Sequence, residues 1–177
     1  MNNIVNPLIS IVIPSYNHDK FIKKALDSVI DQTFQNWEAI VIDNHSTDET
    51  DRILNNYDDL RIIKLKINNN GIIAKSRNLG IEVARGEWIA FLDSDDWWTK
   101  DKLEICLNNI DDNVDFIYHD LEIKDNKSNI IFKKKNLKGR ELKKPILKDL
   151  LYGLIEEGNA IGNSSVVVRK NILFKIG

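Results

Sequence analysis

Glu87 to Trp98 reads EWIAFLDSDDWW, an apolar, β-prone run (Trp88, Ile89, Ala90, Phe91, Leu92) that stops abruptly at three carboxylates, Asp93, Asp95 and Asp96. A buried strand that ends in acids delivers negative charge to one sheet edge, where helices no longer cover it. Such a cluster repels itself unless a cation or a run of donors sits against it. In Asp93-Ser94-Asp95 one small residue separates two carboxylates, so both can face a divalent ion that also grips a diphosphate. Hard oxygen ligands suit Mg2+ or Mn2+, with phosphate oxygens and water completing the shell. The alternative is an acidic turn at the start of a helix over Lys100 to Ile110, since carboxylates favour that end of the dipole. Alone, D-x-D does not choose between the two.

Two strands upstream end in the same manner. Leu8 to Pro14, LISIVIP, is a short apolar run rich in β-branched residues, as a buried parallel strand requires, and it gives way to Ser15-Tyr16-Asn17. Trp37 to Asp43 is the second, followed by Asn44. Between them Phe21, Ile22, Ala25, Leu26, Val29 and Ile30 recur at helical spacing. Ser46 with Glu49 has the form of a capping box and predicts a helix over Thr47 to Tyr57. Leu60 to Ile67 alternates basic and apolar residues, as a strand near a sheet edge does. After the turn Asn68 to Gly71, Ile72 to Arg85 reads as a helix closed by Gly86. Thr99 is the expected cap of a further helix with Leu103, Cys106, Leu107 and Ile110 on one face.

Strands and helices alternating in this order argue for a three-layer α/β/α sandwich, Rossmann-like, with a mostly parallel mixed sheet. Ligands of such sheets sit outside the carboxyl ends of the strands. Pro14-Ser15-Tyr16, Asp43-Asn44 and Asp93-Ser94-Asp95 are therefore expected to open on one crevice. No G-x-G-x-x-G follows the first strand, which counts against a dinucleotide-binding domain.

Beyond Asp111 the pattern changes. Asp115 to Lys124 and Ile130 to Lys135 are expected as strands of a hairpin turning around Asn126, Pro145 to Glu156 as an amphipathic helix, and Ser164 to Arg169 as a last strand. A soft boundary near residue 111 separates a nucleotide-facing half, residues 1–110, from the start of a second half, residues 111–177, within one domain. At 177 residues, 42% hydrophobic and 29% charged, the chain has the make-up of one soluble globular domain. A formal charge of −2 gives no general pull toward nucleic acid. The single Cys106 cannot form an internal disulfide and fits a reducing compartment. With no apolar leader or membrane-length window, a cytoplasmic location is expected. The basic run from Lys133 to Lys144 is either a solvated loop or a peripheral contact with the inner face of an anionic membrane. His18, His45 and His119 lack metal-ligand spacing.

Taken together, PSYNHDKFIKKALDSVIDQTFQNWEAIVIDNHSTDET, KSRNLGIEVARGEWIAFLDSDD and NSSVVVRK resemble the family 2 inverting glycosyltransferases of the GT-A fold, from Leu8 onward. The resemblance implies transfer of a sugar from a nucleoside-diphosphate sugar, UDP-linked by preference, to an acceptor hydroxyl of a glycan or lipid-linked glycan, with inversion and with Mn2+ or Mg2+. It implies that Pro14 and Tyr16 hold the base, with Asp43 and Asn44 at the position of the usual Asp-Asp pair. Asn44 departs from the commoner acid, and His45 stands where the family often has glycine. Lys75, Arg77 and Asn78 match a segment that contacts base or diphosphate; the first two read equally as solvated helix residues. Asp93, Ser94 and Asp95 match the D-x-D segment, with Asp95 as direct metal ligand, Asp93 as ribose or outer metal partner and Asp96 in support. Trp97 and Trp98 either stack on a sugar or pack the core. Gly80 is expected to allow close helix packing. The general base of the family lies in an acidic motif expected beyond Gly177, so a non-catalytic nucleotide-sugar-binding module remains a second reading and a nucleotidyltransferase a third.

Overall fold

The computed structural model describes residues 7–124, 130–134 and 161–176. In its first half the elements are β1 (Ile9–Ser15), α1 (Ile22–Ile30), β2 (Trp37–Asp43), α2 (Thr50–Asn55), β3 (Ile62–Lys66), α3 (Ile73–Val83), β4 (Trp88–Phe91) and α4 (Lys102–Asn108). There follow β5 (Phe116–Ile117), β6 (Leu121–Lys124), β7 (Ile130–Lys134), β8 (Val167–Arg169) and α5 (Lys170–Ile176).

The period-two alternation of the buried strands sorts the core into two layers. Ile9, Ile11, Ile13, Ala39 and Val41 face one way and pack with Ile22, Leu26 and Val29 of α1, Leu54 of α2 and Leu103 of α4. Val12, Ile40, Ile42 and Ile89 face the other way, against Leu79 and Ile81 of α3 and Ile172 and Leu173 of α5. Both faces are covered, which is why β1 and β2 are buried along their whole lengths.

The six-stranded sheet runs β3-β2-β1-β4-β8-β5. β1 is parallel to β2 and to β4, and β2 to β3. β8 lies antiparallel between β4 and β5. The chain winds outward from β1 through β2 to β3, then returns over the other face through α3 to place β4 on the far side of β1. That reversal creates a topological switch point between the carboxyl ends of β1 and β4, where sheets of this type bind ligands.

Gly80 sits where α3 crosses the sheet, and a Cβ there would stand 2.5 Å from Val12 Cγ1 and 2.9 Å from Ile42 Cδ1. The close packing expected of it is present. Gly80→Ala is expected to cost about 1–3 kcal/mol through overpacking, lowering the melting temperature by roughly 3–10 °C. An unchanged thermal unfolding curve would show that the contact relaxes freely.

Several local expectations are corrected. The capping box does not form: α2 starts at Thr50, no side chain caps it, and the Ser46 oxygen accepts the Asn17 N–H instead while its hydroxyl donates to Asp43. α3 ends at Val83, ahead of Gly86, whose φ is not positive. Gly86 is needed for another reason, since a Cβ would come 2.5 Å from the Ser10 backbone nitrogen. Thr99 does not cap α4, which begins three residues later without a side-chain cap. The strand expected over Asp115 to Lys124 is split: β5 joins the main sheet while β6 pairs antiparallel with β7. Ser164 falls in a 3-10 turn, Asn163–Ser165, ahead of β8. The turn at Asn126, the helix over Pro145 to Glu156 and the basic residues beyond Lys134 lie outside the described residues. Among the described residues no helix is long and apolar enough to cross a membrane.

Candidate functional site

Register brings the three polar strand ends together. Ser15 is paired with Asp43, and the Asn44 N–H donates to the Ser15 carbonyl at 2.9 Å. On the other side of β1 the Leu92 N–H donates to Val12 O at 3.1 Å, so Asp93 leaves the sheet beside the β1 terminus.

The loops after β1 and β2 are laced to each other. Asn17, at φ 52°, takes the left-handed conformation that asparagine tolerates. Its N–H donates to Ser46 Oγ at 2.9 Å, and its side-chain oxygen accepts the Thr47 N–H at 2.8 Å. The His18 N–H donates to Thr50 Oγ1 at 3.1 Å, and Asp48 accepts the Asp19 N–H at 3.0 Å. Desolvation pushes the Asp48 carboxyl up, but hydrogen bonds from the Thr50 side chain and from the Asp19 and Thr50 backbones together outweigh it and hold the group below its ordinary range. Asp43 is buried and its carboxylate accepts both the N–H and the hydroxyl of Ser46, which fixes the turn after β2. Asn44 Oδ1 accepts the Asn69 N–H at 3.0 Å and so ties in the loop ahead of α3. Asn69 in turn donates its side-chain amide to Ser76 Oγ of α3 at 2.7 Å.

The acidic turn after β4 is held from three directions. Arg77 of α3 pairs with Asp93 at 2.7 Å. His18 Nδ1 lies 2.6 Å from Ser94 Oγ, reaching across from the β1 loop. Ser164 accepts the Asp93 N–H at 3.0 Å and donates to Asp96 at 2.6 Å. Partial burial of the Asp96 carboxyl raises its pKa; the charges of Asp95 and Asp93 add to this, and the Ser164 hydrogen bond opposes it. Asp95 is exposed and has no hydrogen bond or ion pair among the described residues. Tyr16, Lys75 and Asn78 are also exposed, and Pro14 is buried in β1.

Trp98 belongs to the core: its indole N–H donates to the Ser164 carbonyl at 2.8 Å, and the buried Lys102 ammonium lies 3.7 Å from its ring centre. Trp97 offers no free ring face on the side covered by Lys24, whose ammonium is 3.2 Å from the ring centre. Burial pulls the Lys102 pKa down to about 8, and its ammonium has no hydrogen-bond partner among the described residues. A depressed lysine makes folding less favourable below its unfolded pKa, because the unfolded chain holds the proton more tightly between about 8 and 10.5. Lys102→Met is expected to keep or raise the melting temperature and to flatten its rise with pH across that window. A fall of several degrees at pH 7 would mean that the ammonium has a partner outweighing its desolvation. Cys106 is packed in the same core, where burial pushes its thiol pKa up.

Among the described residues no three His, Cys, Asp or Glu side chains gather into a metal cage. Asp93 is committed to Arg77 and Asp96 to Ser164, which leaves Asp95 as the free oxygen donor. One carboxylate fits a hard divalent ion whose shell is otherwise filled by substrate phosphates and water, the usual arrangement for Mg2+.

The doubly wound sheet with an antiparallel strand beside β4 and an acidic turn at its switch point defines a GT-A fold. Solved structures agree: S. aureus TarS 1-349 in complex with UDP superposes with a TM-score of 0.71 at 24% identity, covering 95% of this chain and 48% of that one. The mannosyltransferase PcManGT from Pyrobaculum calidifontis, in complex with GDP-Man and Mn2+, shares the fold at a TM-score of 0.68 and 18% identity, over 98% of this chain and 48% of that one. The chain belongs to glycosyl transferase family 2, whose sequence model matches residues 10–171. Among curated relatives, the putative teichuronic acid biosynthesis glycosyltransferase TuaG of Bacillus subtilis is 46% identical over 100 residues, 55% of this chain and 40% of that protein. WfgD of Escherichia coli, a UDP-Glc:alpha-D-GlcNAc-diphosphoundecaprenol beta-1,3-glucosyltransferase, is 39% identical over 122 residues, 68% of this chain and 48% of that protein. The chain thus spans less than half the length of these relatives.

His18, Ser46 and Ser164 were not singled out by sequence as parts of the site. Ser46 had a competing use as a cap, and His18 lacked metal spacing. Ser164 reaches the acidic turn only because β8 runs antiparallel to β4, a pairing that no local pattern announces.

Proposed function

We propose that this chain is the donor-binding part of a glycosyltransferase that moves a sugar from a nucleoside-diphosphate sugar, UDP-linked by preference, to an acceptor hydroxyl, with inversion and divalent-metal assistance. The observation that carries the reading is the convergence of the β1, β2 and β4 ends on one switch point with Asp95 left free there. TarS crystallised with UDP and the UDP-Glc named for WfgD support the choice of nucleotide.

In this reading residues 1–110 are the nucleotide half and residues 111–177 the acceptor side. Tyr16, beyond Pro14, offers an exposed ring to the base, with Asn44 and the Asp43 turn beneath it. Asp93 serves the ribose, and Arg77, Lys75 and Asn78 on α3 meet the diphosphate with positive charge and amide donors near a helix N-terminus. Asp95 is the residue that would hold Mn2+ or Mg2+, with Asp93, Ser94 and Asp96 shaping the turn around it. A divalent ion bound there supplies positive charge to the departing diphosphate. No residue of this chain is assigned as the general base that deprotonates the acceptor. The acceptor in this reading is a glycan or a lipid-linked glycan, the kind of acceptor that the name of WfgD gives for that enzyme, and a lipid-linked acceptor would call for peripheral contact with the inner face of a membrane.

A thermal-shift screen of UDP-, GDP- and dTDP-sugars with and without Mn2+ tests this, because a ligand at about 100 times its Kd adds roughly 2.7 kcal/mol to folding stability. A rise with UDP-sugar that depends on Mn2+ is expected. No rise with any donor would contradict the reading.

A further inference from the structure

Ser164 is 2% exposed, lies 71 residues from Asp93 in sequence, and turns its hydroxyl to the acidic turn and its carbonyl to Trp98. Its hydroxyl accepts the Asp93 N–H at 3.0 Å and donates to Asp96 Oδ2 at 2.6 Å. Its carbonyl accepts the Trp98 indole N–H at 2.8 Å. One side chain therefore closes the turn Asp93 to Asp96 from both ends, with a backbone hydrogen bond from the Asp96 N–H to the Asp93 carbonyl at 3.0 Å across it. Asp95 projects from a turn whose two neighbouring acids are both tethered, one to Arg77 and one to Ser164. A loop held this way presents its free carboxylate in one place instead of sampling several, which lowers the ordering cost of binding.

We propose that Ser164 is a positioning residue for donor binding: the 3-10 turn ahead of β8, far along the chain from the first half, completes the acidic turn by tying Asp93 to Asp96. This rests on the proposed donor site. The residue touches neither ion nor donor in this account; it acts through the turn. The donor site is thus built from both halves of the chain, and residues 1–110 do not complete it alone.

The test uses the whole chain with Ser164→Ala and a control, Ser165→Ala. Ser165 is fully buried in the same turn, with its hydroxyl donating to the Gly162 carbonyl at 2.6 Å, and the control removes a neighbouring hydroxyl without touching the acidic turn. Two quantities are read: amide hydrogen exchange at Asp93 to Asp96 in the unliganded protein, and the Kd of a UDP-sugar with Mn2+. In Ser164→Ala exchange at the acidic turn is expected to speed up at least ~10-fold and donor binding to weaken roughly 10- to 100-fold, the range for a hydrogen bond to a charged group. In Ser165→Ala both are expected to stay within about twofold of the parent. Unchanged exchange at Asp93 in Ser164→Ala overturns the proposal, as does an equal loss of binding in the control. If the parent itself binds no donor, the functional reading fails, and the exchange data alone decide whether Ser164 orders the turn.

Discussion

Asp95→Ala is expected to weaken Mn2+-dependent binding of a UDP-sugar by about 100-fold or more while leaving the unliganded melting temperature unchanged. The two halves of that expectation come from the same fact. Asp95 is exposed and free of partners among the described residues, so its removal costs the fold nothing. Its neighbours are already engaged, Asp93 in an ion pair with Arg77 and Asp96 in a hydrogen bond with Ser164. Asp93→Ala should behave differently: it releases the Arg77 guanidinium and lowers both stability and binding. Equal loss of binding and stability at Asp95 would mean that the residue is structural and that the ion, if one binds, is held elsewhere.

Glu38→Ala is expected to destabilise the fold by about 3 kcal/mol, or roughly 6–12 °C in melting temperature, with no direct contact to the site. Glu38 is an acid inside a fully buried strand, 1% exposed. It is there because its carboxylate accepts the Ser10 hydroxyl at 2.6 Å, the Arg85 N–H at 2.7 Å and the Arg85 Nε at 2.7 Å. Ser10 also accepts the Gly86 N–H at 2.8 Å, so the carboxylate anchors the backbone between α3 and β4. Removing it strands buried donors, the costly way to break such a pair. The Arg85 side chain is about half exposed and can turn to water, which keeps the loss below that of a fully enclosed ion pair. Melting within a degree or two of the parent would show that water replaces the carboxylate at Ser10.

The layers and the convergence of the polar strand ends were legible in the sequence because continuous apolar runs broken by polar residues mark where a buried strand begins and ends. LISIVIP, WEAIVID and EWIAF are such runs, and the acids after them sit where parallel strands deliver them. Element starts were less legible because one side chain can serve two partners. Ser46 had the spacing of a helix cap, but its oxygen accepts the Asn17 N–H from the β1 loop while its proton goes to Asp43. Gly86 looked like a helix terminator and is instead the place where a backbone passes against Ser10. The parts of the site contributed by His18 and Ser164 depend on which strands neighbour β4 and β1, information carried by tertiary pairing alone. Asn44, which departs from the commoner acid, keeps its oxygen on the Asn69 N–H and so supports the loop ahead of α3.

The most direct test is a crystal structure with UDP and Mn2+, with the ion located by its anomalous scattering. The account expects the manganese peak within direct coordination distance of an Asp95 carboxylate oxygen, with the diphosphate on its far side and the base beside Tyr16. A nucleotide bound instead in the cavity of about 320 Å3 lined by Gly86, Glu87, Arg169, Lys170, Asn171 and Phe174, at the opposite end of β4, would contradict it.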